Sequence, residues 1–169
     1  MSANWTAMLP FLLSVTAVMP LAGDGRASSA EIEGLSFRVE GDAFVRRNGP
    51  HYNNRPLYCL HAPAMVLGGD KPFLRFLQDP YYHGNLMMGI VREGKAKWLH
   101  DFSDITSRYR TARMEWVASD PGFPGLTAVL EAVTHAEGIG FAARLAVTGA
   151  QPGDRLVWAY GGARQRMAD

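Results

Sequence analysis

Apolar and polar residues alternate along most of this chain with a period of two, the pattern of strands that bury one face and expose the other. Phe37, Val39, Ala43 and Val45 share one parity and Arg38, Glu40 and Asp42 the other, with Phe44 out of step. Asn48-Gly49-Pro50 ends that run with turn chemistry. Leu57 to Leu67 reads as one or two strands, because Pro63 lacks an amide hydrogen and implies an edge or a break. Gly68-Gly69-Asp70-Lys71-Pro72 reads as a plain turn ahead of Phe73 to Leu77, and Asp79-Pro80 interrupts the chain again. Leu86, Met88 and Ile90 alternate with Asn85, Met87 and Gly89. A hairpin follows through Arg92-Glu93-Gly94-Lys95 into Lys97-Trp98-Leu99, with Gly94 supplying a positive φ. Ala112, Met114, Trp116 and Ala118 form the inner face of a further strand closed by Asp120-Pro121-Gly122. Ile139, Phe141, Ala143, Leu145 and Val147 give the cleanest alternation, and a last strand carries Leu156, Trp158 and Tyr160 on one face.

One segment fits two patterns. Leu126, Val129, Leu130 and Val133 follow the spacing of a helix stripe, yet Glu137-Gly138 looks like a hairpin turn into the alternation after it. The turn favours a strand over 125–135, with a helix as the other option. About nine strands joined by short polar turns, with no crossover helices between them, predict an all-β fold, an antiparallel β-sandwich. The last strand has no finishing turn, so residues 31–169 are expected to be a sandwich domain truncated at its C-terminal end.

Composition changes this picture at the N-terminus. Residues 1–23 carry no charge, and Ala7 to Ala22 is apolar but interrupted by Pro10 and Pro20. That is too short for a membrane span of about 20 residues. It reads instead as the apolar region of a secretory signal over residues 1–30, with Ser28-Ser29-Ala30 as the cleavage site, although no Lys or Arg precedes it. Export to the periplasm or beyond is the expectation. The net charge of +1 gives no electrostatic reason to bind nucleic acid. Arg108, Arg110 and Arg113 approach a cluster and read as a solvated strand face. Cys59 is the sole cysteine, which excludes an internal disulfide, and with His61 nearby it still reads as a buried thiol rather than a nucleophile.

Few residues suggest chemistry. The five histidines show no metal-ligand spacing, there is no phosphate loop and no Gly-x-Ser-x-Gly elbow, so neither a metal nor another cofactor is called for. A glycosidase needs two carboxyl groups about 5–9.5 Å apart, but the acids here sit beside Gly or Pro in turns. Tyr81-Tyr82-His83-Gly84-Asn85 reads as a loop rich in groups that stack on sugars and bond hydroxyls, and Trp98, Trp116 and Trp158 are further platforms or core residues. The candidate sugar contacts are therefore Tyr82, His83, Asn85 and Trp98.

The order of several motifs carries a likeness. Asn54-Arg55-Pro56-Leu57-Tyr58, Gly84-Asn85-Leu86-Met87-Met88-Gly89-Ile90, Lys97-Trp98-Leu99, Tyr109-Arg110-Thr111-Ala112-Arg113-Met114 and Leu156-Val157-Trp158-Ala159-Tyr160-Gly161-Gly162-Ala163 together resemble the bacterial N-terminal family known as domain of unknown function 4450, over roughly residues 50–166. Cys59-Leu60-His61 departs from its pattern, where small residues are expected. The resemblance implies a galactose-mutarotase-like supersandwich of the kind that precedes helical-toroid catalytic domains in large exported glycoside hydrolases. The acid and base then come from the toroid, the glycan is the substrate of the parent enzyme, and this domain packs against the toroid without activity of its own. A free-standing carbohydrate-binding or protein-interaction module is the rival expectation. Trp98 and Trp116 exposed on one flat face would favour that rival, whereas an apolar patch around the last strand would favour a partner domain.

Overall fold

The computed structural model describes residues 37–58, 64–78, 81–136, 138–162 and 165–166. The signal-like stretch 1–30, Cys59 with His61, Pro63, Asp79-Pro80 and Glu137 lie outside the described residues. In chain order the strands are β1 (Arg38–Glu40), β2 (Ala43–Arg47), β3 (Arg55–Tyr58), β4 (Ala64–Gly68), β5 (Phe73–Gln78), β6 (Tyr81–Arg92), β7 (Lys95–Trp98), β8 (Asp104–Arg110), β9 (Arg113–Ser119), β10 (Thr127–Thr134), β11 (Phe141–Thr148), β12 (Arg155–Gly161) and β13 (Gln165–Arg166). A 3-10 turn over Leu99–Asp101 is the one helical element among the described residues.

All pairings are antiparallel and fall into two sheets that pack face to face, the expected β-sandwich. One sheet runs β1-β2-β8-β9-β10-β11, and the other runs β12-β6-β5-β4-β3 with β7 and β13 also paired to β6. Leu57, Val66, Leu74, Met88 and Ile90 from the second sheet meet Ile105, Met114, Trp116, Ala118, Ala128 and Leu130 from the first in one core. The ambiguous segment is strand β10, bonded to β9 on one side and β11 on the other. Its Ala128, Leu130 and Ala132 face the core, and the helix-like spacing of Leu126 arises because that residue is buried in the preceding turn.

Three local readings need correction. The run from Phe37 to Val45 is two strands, turned at Gly41 (φ 60°) and Asp42. Val39 stands opposite Phe44 and Glu40 opposite Ala43. Residues directly opposite share a face, so a two-residue turn inverts parity and Phe44 joins Val39 rather than breaking a pattern. Ala112 is not in a strand; it occupies the β8–β9 turn with φ 56°. The strands are also more numerous than nine, because the runs at 37–47 and 55–68 each fold into a hairpin and β8 and β13 are added.

The plain turn after β4 is anything but plain. Asp70 is fully buried and its carboxylate accepts from Arg55 Nη2 at 2.6 Å and from the His51 amide at 3.1 Å, with Arg46 Nη1 at 3.3 Å. Beside it the Gly69 carbonyl accepts a 2.8 Å bond from Trp116 Nε1 at the centre of the core. A side chain at Gly69 would place its first carbon 2.5 Å from the His51 carbonyl oxygen, so the close approach excludes any larger residue. The carboxylate thereby joins β2, β3 and the 48–54 loop.

Replacing Asp70 with Ala leaves the Arg55 guanidinium buried without its counter-charge. The expected cost is about 3–5 kcal/mol, read as a lower urea midpoint with an unchanged slope.

Candidate functional site

The four residues singled out for sugar contact do not converge on one loop. Tyr81 to Asn85 is the first part of β6, with β5 on one side and β12 and β13 on the other. It looks like a loop in the sequence because a bulge sits inside it: Phe76 pairs with Gly84 and Leu77 with Tyr82, so His83 is the extra residue. Gly84 takes φ 136° and lies so near Gly161 that a β-carbon would stand 2.9 Å from its carbonyl oxygen. His83 packs its ring on Phe76 at 5.5 Å, and its carbonyl accepts a 3.4 Å bond from Tyr160 Oη. The Tyr82 backbone pairs with Leu77 and Gln165.

Asn85 and Trp98 do share a surface. Trp98 stands opposite Gly89, and Gly89, Met87 and Asn85 have the same parity on β6, so both residues lie on the outer face of the second sheet. Trp98 stacks on His100 with 6.3 Å between centroids and a 7° tilt, and His100 meets Tyr52 and Phe73 edge-on, each at 5.9 Å. Burial pushes the His100 imidazole down from its ordinary pKa; Asp101 opposes this and Lys71 reinforces it. His100 Nδ1 is buried with no hydrogen-bond partner among the described residues. Trp116, by contrast, is wholly in the core.

Two further margins of the sandwich are open. At one, β12 overhangs. Leu156 stands opposite Ile90, Trp158 opposite Met88 and Tyr160 opposite Leu86, so all three lie on the core-facing side of their sheet. Met88 and Ile90 are buried, yet Leu156, Trp158 and Tyr160 remain 43%, 53% and 47% exposed, because the first sheet ends at β11. The start of β12 is fixed by Arg92, whose Nε and Nη2 donate to Asp154 at 2.9 and 2.7 Å while Nη1 and Nη2 reach the Pro124 and Gly149 carbonyls, each at 3.0 Å. At the opposite margin, a groove of about 300 Å³ lies among Phe37, Phe44, Asn54, Arg55, Pro56 and Tyr109. An adjoining hollow shares Phe44, Pro56 and Tyr109 and extends it to Asp42 and Arg110.

Five of the carboxyl groups are committed to basic partners. Asp42 pairs with Arg110, Asp104 with Arg47, Asp120 with Lys97, Asp154 with Arg92, and Glu131 with Arg113 and Arg144. Burial acts to raise Asp120 and Glu131, but the bonds from Lys97, Gly122 and Ser103, and from Arg113 and Arg144, outweigh it and both are lowered. Bonds from Arg110 and Arg47 lower Asp42 and Asp104. A glycosidase acid needs a raised pKa, so these five acids are tuned the wrong way for that role. Arg108 pairs with Glu115 and Glu40, Arg110 with Asp42 and Arg113 with Glu131, so the cluster read as a solvated strand face is a strand face laced by ion pairs. Among the described residues no three His, Cys, Asp or Glu side chains come together, and no helix is long and apolar enough to cross a membrane.

The pattern of β6 to β13 is also what the family comparison recognises: the model of the domain of unknown function (DUF4450) matches residues 80–168, more than half of the chain. The chain belongs to this family. Within the DUF4450 match lie the bulged β6, the Trp98 platform, the Arg92–Asp154 pair and the whole of β12; the Arg55 groove lies largely outside it. No curated protein and no solved structure is matched.

Hydrogen bonds from Arg92, and then from the Gln151 amide, hold the Asp154 carboxyl down from 3.8 to about 2. A carboxyl depressed in the folded state stabilises the fold above its unfolded pKa and loses that contribution as pH falls through the folded value. Thermal unfolding followed by circular dichroism should therefore show a loss between pH 3.8 and about 2 that Asp154→Asn removes.

Proposed function

We propose that this chain is the non-catalytic β-sandwich, galactose-mutarotase-like domain of an exported carbohydrate-active enzyme, and that it docks a helical catalytic domain through its β12 margin. The observation that carries the reading is the Leu156, Trp158 and Tyr160 stripe, a continuation of the core side of a sheet past the end of the sheet that should cover it. Fully burying one large apolar side chain is worth about 1.5–3 kcal/mol, so covering the exposed half of three is worth about 2–4 kcal/mol. That is enough for docking between domains and would be an aggregation liability if left bare. The lowered carboxyl groups support a catalytic centre elsewhere. The carbohydrate context is part of the proposal, drawn from what the sequence resemblance implies, and the signal-like stretch 1–30 supports the export.

A second reading keeps a free-standing carbohydrate-binding module, favoured by one observation: Asn85 and Trp98 lie on the same outer sheet face. The burial of Trp116 counts against a flat tryptophan surface of the kind that reading requires.

Intact mass of the native exported product separates the two. A product that continues into a helical glycosidase domain is expected, and one that ends at Asp169 would overturn the docking role. In the isolated chain, Leu156→Ser with Trp158→Ser should lower stability by about 1 kcal/mol per site, the share of each side chain already buried, while sharply reducing hydrophobic-dye fluorescence. Affinity electrophoresis in soluble polysaccharide gels tests the glycan contact, with retardation expected to disappear in Trp98→Ala.

A further inference from the structure

We propose that the groove beside β2, β8 and β3 is a binding site for a carboxylate carried on a ring-shaped body, with Arg55 as the charge that recognises it. Arg55 forms part of the groove wall, yet its side chain is only 8% exposed. Nη2 is spent on Asp70 at 2.6 Å, whereas Nη1 is buried with no acceptor among the described residues. A buried guanidinium nitrogen without an acceptor is the most costly kind of unmade hydrogen bond, and an incoming anion is the group that removes the cost.

Charge points the same way. Asp70 is already occupied by Arg55, Arg46 and the His51 amide, and two guanidinium groups around one carboxylate leave one positive charge in excess. The Phe37 ring lies over the Arg55 guanidinium at 4.5 Å and over that of Arg46 at 5.3 Å. Stacking uses the flat face of the cation and leaves its edge for an acceptor, and an in-plane approach is how a carboxylate meets arginine. The remaining walls suit the rest of such a ligand. Phe44 offers a ring that is 53% exposed, Pro56 and Tyr109 continue the apolar surface, and Asn54 adds an amide. Tyr109 Oη is committed to the Pro56 carbonyl at 3.1 Å, so it stiffens the wall rather than competing for the ligand. A volume of about 300 Å³ sits at the small end of ligand pockets, the size for one ring rather than a chain.

The site is distinct from the β12 stripe and from the Trp98 face, and the inference holds whether or not either of those is functional. Nitrogen-15 NMR titration of the full chain with glucuronate, benzoate and neutral glucose tests it. Shifts at Asn54, Arg55 and Phe44 are expected with a carboxylate probe and not with glucose. Glucuronate alone identifies an acidic sugar as the source of the group, and benzoate alone a non-sugar acid. Phe44→Ala, an exposed change that should leave the fold intact, is expected to weaken binding at least tenfold, as is the paired neutral exchange Arg55→Gln with Asp70→Asn. Absence of binding by both carboxylates at tens of millimolar, equal binding of glucose, or binding undiminished in Phe44→Ala would overturn the proposal.

Discussion

The buried carboxylate of Asp70 is the constraint on which the rest of the sandwich depends. It faces Arg46 from the first sheet, Arg55 from the second and the amide of His51 in the loop between β2 and β3. Trp116 bonds to the carbonyl immediately before it, so the largest fully buried side chain and a fully buried carboxylate are registered against each other through one peptide. Apolar packing alone permits two sheets to slide; a fixed set of charge-assisted bonds at their interface permits one alignment.

That alignment leaves the two sheets unequal at both margins. Past β11 the second sheet continues as β12 with its core side about half exposed, and past β3 the first sheet continues as β2 and β1 with Phe44 and Phe37 beside a groove. The two overhangs differ in character. The β12 stripe is apolar over three alternate residues and suits another protein surface, whereas the groove has a cation at its base and suits a small anion. One core thereby has an apolar margin on one side and a groove with a buried cation on the other.

The strand pattern was legible wherever a single face alternates against a single core. Met114, Trp116 and Ala118 fall on the inner face of β9 as their spacing requires, and so do Phe141, Ala143, Leu145 and Val147 on β11. What periodicity misses is what depends on pairing. The Tyr81–Asn85 segment looked like a loop because the bulge at His83 and the positive φ at Gly84 disturb the period, although both edges of the strand are bonded. Trp98 and Asn85 were found as candidates, but only the register across Gly89 places them on one face. Arg55 lies inside the Asn54–Tyr58 motif with nothing local to mark it, because its importance comes from Asp70, fifteen positions away in a turn that carries no periodic signal. The same holds for Leu156, Trp158 and Tyr160: the shared face is visible in the sequence, and its exposure is set by the length of the other sheet.

The turn at Gly41 and Asp42 shows how little sequence decides such a surface. Two residues in the turn put Phe44 opposite Val39 and on the groove side. One residue more would shift the edge strand β1 by one position against β2, which β8 holds in register, carrying Phe37 and Val39 to the outer side while Phe44 stays opposite Tyr109. The length of a single surface turn thus decides which β1 residues join Phe44 on this wall. Insertions and deletions there, rather than substitutions in the wall, are the changes to which this margin of the domain is most sensitive.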